Sequence, residues 1–147
     1  MSTTAHASKA QAVVMAARLR TLPAAAAPVL VGTALAWATG AFQALPALVA
    51  LVCALLLQIG TNFANDHYDY VKGADTDERQ GETRVTQAGL VEPGEVKVWM
   101  LATVALAVLL GTYLVYVGGW IILVIGLSSV AAGILYTGGP WPFGYHG

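Results

Sequence analysis

Two long apolar stretches of this chain carry no charge at all. Between Thr21 and Asn65, and again from Val98 to Gly147, there is no Lys, Arg, Asp or Glu, and each stretch can hold two membrane-spanning helices of roughly 17–25 residues. Turn-favouring residues divide them: Gly40-Ala41-Phe42-Gln43-Ala44-Leu45-Pro46 interrupts the first and Gly118-Gly119 the second. The pattern predicts helices over approximately 23–39, 44–64, 98–117 and 120–136, with a polar loop over 65–97 between the second and third. The expected fold class is all-α, a polytopic transmembrane helix bundle with four spans.

Composition sharpens that expectation. The 147 residues are 57% hydrophobic and only 10% charged, against the roughly 45–50% apolar and ~25% charged residues of soluble domains, which excludes an ordinary soluble domain. With a net charge of −1 and no basic run, no nucleic-acid partner is expected. The single Cys53 cannot form an internal disulfide and is expected to pack.

Charge placement orients the bundle. Lys9, Arg18 and Arg20 precede the first predicted helix, and Lys72, Arg79, Arg84 and Lys97 lie between the second and third, so all seven basic residues fall on one side. The positive-inside rule then puts the N-terminus, the acidic loop and the C-terminal tail in the cytoplasm of a cell whose inner (plasma) membrane holds the protein. The same basic residues, followed by an apolar run and Ala34-Leu35-Ala36, have the outline of a cleaved signal peptide. That alternative is set aside because the apolar run exceeds the ~7–15 residues of a signal-peptide core.

The chemistry concentrates where the second helix ends. All eight acidic residues fall between Asp66 and Glu95. If the second helix continues a turn or two beyond the bilayer, Gln58, Asn62, Asn65, Asp66 and Asp69 recur every three or four residues and share one face. Amides at apolar depth are costly facing lipid, so this stripe is expected to face the bundle interior or a water-filled cavity open to the cytoplasm. Asp66 and Asp69 can direct two carboxylates to one point, a hard-oxygen arrangement suited to Mg²⁺, which keeps waters and bridges to substrate phosphates. Asp75 and Asp77, after Gly73, can add to the same ion or to a second one. Lys72, Arg79 and Arg84 supply cations for diphosphate oxygens.

Plainer readings compete. Mixed charges in a cytoplasmic loop can simply be solvated, but such a loop has no need of the amides that continue into the helix. A calcium loop of the EF-hand type starting at Asp75 fails, with Arg79 at a ligand position, Gln80 in place of the turn glycine and no Glu at the twelfth position. Tyr68 and Tyr70 can stabilise a carbocation, yet interfacial tyrosine is common in membrane proteins, as is tryptophan such as Trp99 and Trp120; His67 is a weaker base or metal candidate. Arg18 and Arg20 flank a first span, where basic residues mainly set topology.

Three separated segments together resemble one family. Asn65-Asp66-x-x-Asp69-x-x-x-Gly73-x-Asp75 is similar to the first Asp-rich motif of the UbiA superfamily of intramembrane prenyltransferases. Arg18-Leu19-Arg20-Thr21-Leu22-Pro23-Ala24, Gln58-x-x-Thr61-Asn62-x-x-Asn65-Asp66 and Tyr136-Thr137-Gly138-Gly139-Pro140-x-Pro142-x-Gly144-Tyr145-His146-Gly147 resemble its 1,4-dihydroxy-2-naphthoate polyprenyltransferases, which act in menaquinone biosynthesis. The resemblance implies that Mg²⁺ on the Asp residues binds a polyprenyl diphosphate and promotes its ionisation. The naphthoate ring then attacks the allylic cation and loses its carboxylate, giving demethylmenaquinone. Carried over by position, Asp66, Asp69 and Asn65 are the catalytic candidates and Asp66, Asp69 and Asp75 the metal ligands, with Asp77 weaker. Lys72, Arg79 and Arg84 are implied to contact diphosphate, Asn62 to support the site and Arg20 to meet the naphthoate carboxylate. The segment from Tyr136 onward either lines the pocket or only shapes a turn.

Members of that superfamily are about twice as long and carry a second Asp-rich motif in a later cytoplasmic loop, whereas no Asp or Glu follows Glu95 here. The expectation is therefore about half of a UbiA-type fold, a fragment inactive by itself. Two alternatives stay open: a relative with another acceptor, and a non-catalytic membrane protein that collects divalent cations. Oligomeric state and prenyl chain length are not legible.

Overall fold

The computed structural model describes residues 8–73 and 84–145, and among them every regular element is helical. Five α-helices follow one another: α1, Lys9–Ala17; α2, Leu22–Ala38; α3, Ala44–Val71; α4, Pro93–Gly118; and α5, Trp120–Leu135. α3 is the centre of the bundle and packs against all four others, most extensively against α4.

Helix α1 was not expected. Ser8 starts it with a capping box: its hydroxyl accepts from the Gln11 N–H at 3.2 Å, and the Gln11 side chain accepts from the Ser8 N–H at 2.8 Å. Arg18 stops it by adopting a left-handed backbone, φ +48°. A 3₁₀ turn over Leu19–Thr21 then leads into α2, whose Pro23 sits in the first turn where no N–H is needed. Sequence pattern missed α1 because its buried face is only Ala12, Ala16 and Ala17.

The second predicted helix was expected to end near 64 but runs on to Val71. At ~1.5 Å per residue its 28 residues reach about 42 Å, longer than the ~30 Å hydrocarbon layer. The excess carries Asn65, Asp66 and Asp69 on rigid helix instead of in a loop, and Gly73, φ +65°, closes it. Likewise α4 begins at Pro93, one turn before the expected 98, and Gly119, φ +79°, separates it from α5. Among the described residues three apolar runs are long enough to cross a membrane: 9–38, which joins α1 and α2, then α3 and α4; α5, with 16 residues, is shorter.

Burial is uneven, and its distribution locates the site. The core gathers at the polar end of the bundle: the alanines of α1, Phe63 and Ala64 of α3, Val85 and Val91, and Val96 and Met100 of α4. Trp99 packs inward against it, its ring 5.8 Å from that of Phe63, rather than serving as a belt anchor. Helices α2 and α5 bury no residue fully and expose Leu30, Val31, Leu35, Ile121 and Leu127, as surfaces facing lipid or other apolar partners do. Of the small residues on α5, Gly133 is used: a Cβ there would lie 2.5 Å from the Thr61 hydroxyl of α3. Gly126 instead borders an apolar groove of about 340 Å³ between α3, α4 and α5, lined also by Cys53, Leu57, Ala107 and Gly111.

Candidate active site

The polar stripe of α3 divides into two halves with different partners. In the deeper half, the Asn62 amide donates at 2.8 Å to the Ala17 carbonyl and at 2.8 Å to the Thr21 hydroxyl, and the Gln58 amide donates to Asn62 and Thr21. These partners belong to the break between α1 and α2. Ala17 closes α1, so its carbonyl has no successor within the helix; Asn62, 3% exposed, supplies the missing donor. Of the two settings expected for these amides, the bundle interior or a water-filled cavity, the structure places them in the bundle interior, where Asn62 satisfies a backbone break and Gln58 supports it. Arg20 sits on that 3₁₀ turn with its side chain exposed.

In the outer half, Asp66 and Asp69 meet consecutive residues of one turn. Residues 84–90 fold back on themselves through Ala88 N–H to Arg84 C=O at 3.0 Å and Leu90 N–H to Val85 C=O at 3.0 Å, with Gly89 at φ +66°. The Arg84 guanidinium forms an ion pair with the Asp69 carboxylate, and both side chains are about as buried as core residues, 3% and 5% exposed. The Asp66 carboxylate, wholly buried, accepts from the Val85 N–H at 3.1 Å, the Thr86 N–H at 3.2 Å and the Thr86 hydroxyl. A buried carboxylate is tolerated only when so satisfied.

A third set of contacts brings in the segment after α5. Thr137, 3% exposed, donates its hydroxyl to the Asn65 side-chain oxygen at 2.9 Å. The Lys72 ammonium donates to the carbonyls of Thr137 and Gly139 at 2.9 and 2.8 Å. Gly138 fits between them because it has no side chain: a Cβ would lie 2.6 Å from the Ile134 carbonyl and 2.8 Å from the Tyr68 ring. Gly138→Ala is therefore expected to cost about 1–3 kcal/mol, measured as resistance to SDS unfolding in mixed micelles. A loss below about 0.5 kcal/mol would mean the turn can lift away from α3 freely.

Among the residues expected from sequence, Asn65, Asp66, Asp69, Lys72 and Arg84 are thus drawn to one end of the bundle, Asn65 and Lys72 bonded to Thr137 and Asp66 and Asp69 to the 84–86 segment. Asp75, Asp77 and Arg79 lie outside the described residues. His67 donates from Nδ1 to the Pro93 carbonyl at 2.8 Å, tying α3 to the start of α4. Thr86, Val85 and Thr137 carry site geometry that pattern reading missed. Only Thr137 stood in a recognisable motif; nothing around Thr86 distinguishes it.

Donor chemistry sorts the metal candidates. Among the described residues no three His, Cys, Asp or Glu side chains form a ready cluster. Asp69 and Asn65, four residues apart on one helical face, offer hard oxygens that fit Mg²⁺. Asp66 does not fit as placed, because both of its oxygens are engaged by the 85–86 backbone and hydroxyl at full burial.

The chain is similar to proteins of one family. The UbiA prenyltransferase family matches residues 25–147. The 1,4-dihydroxy-2-naphthoate octaprenyltransferase of Escherichia coli (strain K12) is 44% identical over 146 residues, covering 95% of this chain and 47% of that protein. Proteins of the same name from Mycobacterium tuberculosis (strain ATCC 25618 / H37Rv) and Bacillus subtilis (strain 168) are 41% and 38% identical, covering 91% and 87% of this chain and 46% and 41% of their own. No solved structure matches. The chain spans under half the length of these relatives, and it belongs to the UbiA prenyltransferase family.

Proposed function

We propose that this chain forms the diphosphate-binding half of an enzyme that transfers a polyprenyl group from polyprenyl diphosphate to 1,4-dihydroxy-2-naphthoate, a step of menaquinone biosynthesis. The observation that carries the reading is that the buried Asp69–Arg84 pair and the bonds from Asn65 and Lys72 to the Thr137–Gly139 turn are all built on the polar end of α3, in an otherwise apolar bundle. The names of the relatives, matched over nearly the whole of this chain, support the same substrates.

Each residue has a part in that reading. Asp69 and the Asn65 amide oxygen hold Mg²⁺, with Asp75 a further ligand. An ion held there would supply neutralisation of the charge that develops on the departing diphosphate. Arg84 moves from Asp69 to the diphosphate, where its planar fork suits two oxygens at once. Lys72 fixes the glycine-rich turn beside the site and adds positive charge near it. Thr137 fixes the Asn65 amide by donating to its oxygen, which keeps a second lone pair for a cation. The apolar groove along α3, α4 and α5 is suited to hydrocarbon, and the lipid-embedded helices keep water from an allylic cation. Positive-inside placement puts the N-terminus and the Asp-rich end on the cytoplasmic side of the plasma membrane.

The test is prenylation of dihydroxynaphthoate in membranes expressing this chain, with Mg²⁺ and a polyprenyl diphosphate. It is run for the chain alone and together with the C-terminal half of the Escherichia coli relative as a separate polypeptide. Product only when both halves are present is the expected result. Product with hydroxybenzoate but not naphthoate would transfer the reading to another acceptor. No product with either acceptor, while Mn²⁺ still binds the membranes through Asp69, would favour a cation-binding membrane protein.

A further inference from the structure

Asp66 stands in the motif as an apparent partner of Asp69, yet its surroundings are those of a structural joint. Its side chain is 0% exposed. The Val85 and Thr86 N–H groups open the hydrogen-bonded turn 84–90 and donate to no carbonyl within it. The Asp66 carboxylate accepts from both, as an N-cap side chain would, but delivers the cap from another helix. The Thr86 hydroxyl closes the joint twice, donating toward the Asp66 carboxylate and lying 3.2 Å from the Asp66 backbone carbonyl. Val85, also 0% exposed, is pressed into the core beside Phe63 and Met100. The residue immediately before this capped pair is Arg84, and its guanidinium reaches Asp69, one helical turn along α3 from Asp66.

We propose that Asp66 and Thr86 are positioning residues: together they cap the 84–90 turn against α3 and so hold Arg84 at Asp69, while Asp66 itself ligates no metal. The proposal rests on the prenyltransferase reading only for what Arg84 is held ready to do; the joint itself is independent of it. It also divides the labour of the Asp-rich motif. One carboxylate is committed to architecture, and the neighbouring one, paired with an exchangeable guanidinium, is left to change partners when substrate arrives. A fixed backbone with a mobile arginine tip lets the cation move between Asp69 and an incoming anion without reordering the loop.

The test reads burial of the joint, not catalysis. In the full chain in membranes, with Cys53→Ala and Val85→Cys, labelling of the position-85 thiol by a membrane-impermeant maleimide is followed in opened vesicles, with and without Mg²⁺. The parent is expected to be protected. Asp66→Asn and Thr86→Val are each expected to raise the labelling rate by about tenfold or more, the scale of losing a hydrogen bond to a charged group. Thr86→Ser, which keeps the hydroxyl, is expected to restore protection, a rescue that mere loss of packing volume would not give. Protection unchanged in Asp66→Asn and Thr86→Val would overturn the proposal, as would labelling of the parent that depends on Mg²⁺ and becomes Mg²⁺-independent in Asp66→Asn. Should Asp66→Asn fail to accumulate, Thr86→Val and Thr86→Ser decide the matter alone. A silent prenylation assay leaves this outcome untouched, so the two readings fail separately.

Discussion

Replacing Arg84 with alanine is expected to destabilise the chain by about 3–5 kcal/mol, the cost of removing one member of a buried ion pair. The size follows from burial, because solvent does not screen a pair whose side chains are 3% and 5% exposed. It does not follow that the pair is a net source of stability. Desolvating a guanidinium and a carboxylate costs about what their attraction returns, and a well-packed apolar pair often does as well. The double variant Asp69→Leu, Arg84→Leu is accordingly expected to be much closer to the parent than Arg84→Ala is. SDS titration in mixed micelles of the parent, the two single leucine variants and the double closes a cycle that isolates the pairwise energy. If both singles lie within about 1 kcal/mol of the parent, the pair is not the buried contact the structure shows. A pair that adds little net stability but is costly to break singly is a fitting element for a site that exchanges partners.

How far this arrangement was legible in the sequence differs from one link to the next. The four longer helices and their type followed from charge-free length and from the turn residues around Gly40 and Gly119, because a spanning segment must satisfy its backbone internally and only a few residues end it. Helix ends were less legible. The extension of α3 to Val71 left no apolar trace, since beyond the bilayer a helix need not be hydrophobic. Its three- and four-residue polar spacing was the one clue, and it placed Asn65 and Asp69 together. Helix α1 escaped because alanine at 12, 16 and 17 packs closely while leaving almost no hydrophobic signal. At the site, charge identified Asp69 and Arg84 as candidates, but pairing across 15 positions depends on a turn whose closure is a tertiary fact. Asn62 shows the limit most clearly. A buried amide in an apolar helix announces that it has a partner, and residue type alone cannot say whether that partner is a substrate or, as here, the orphan carbonyl of Ala17.

With the two halves combined in membranes, Asp69→Asn is expected to lower naphthoate prenylation by about 10²–10³-fold, the range seen when one group stabilising developing charge is removed. Asparagine keeps the size of the side chain and one oxygen but carries no charge, so it weakens the pairing with Arg84 and, on the metal-site reading proposed above, is expected to weaken the hold on Mg²⁺ as well. These two effects separate on titration. Loss of the metal ligand raises the Mg²⁺ concentration needed for half-maximal rate, and excess Mg²⁺ then recovers part of the activity. Loss of the arginine partner alone leaves the Mg²⁺ requirement where it was and changes the KM for polyprenyl diphosphate instead. Arg84→Lys provides the comparison: charge is kept, the planar fork is lost, and the expected signature is a higher KM at an unaltered Mg²⁺ requirement. An Asp69→Asn variant that runs at the parent rate with the parent Mg²⁺ requirement would remove Asp69 from the metal site, and would leave Arg84 as the only member of the pair with a claim on the diphosphate.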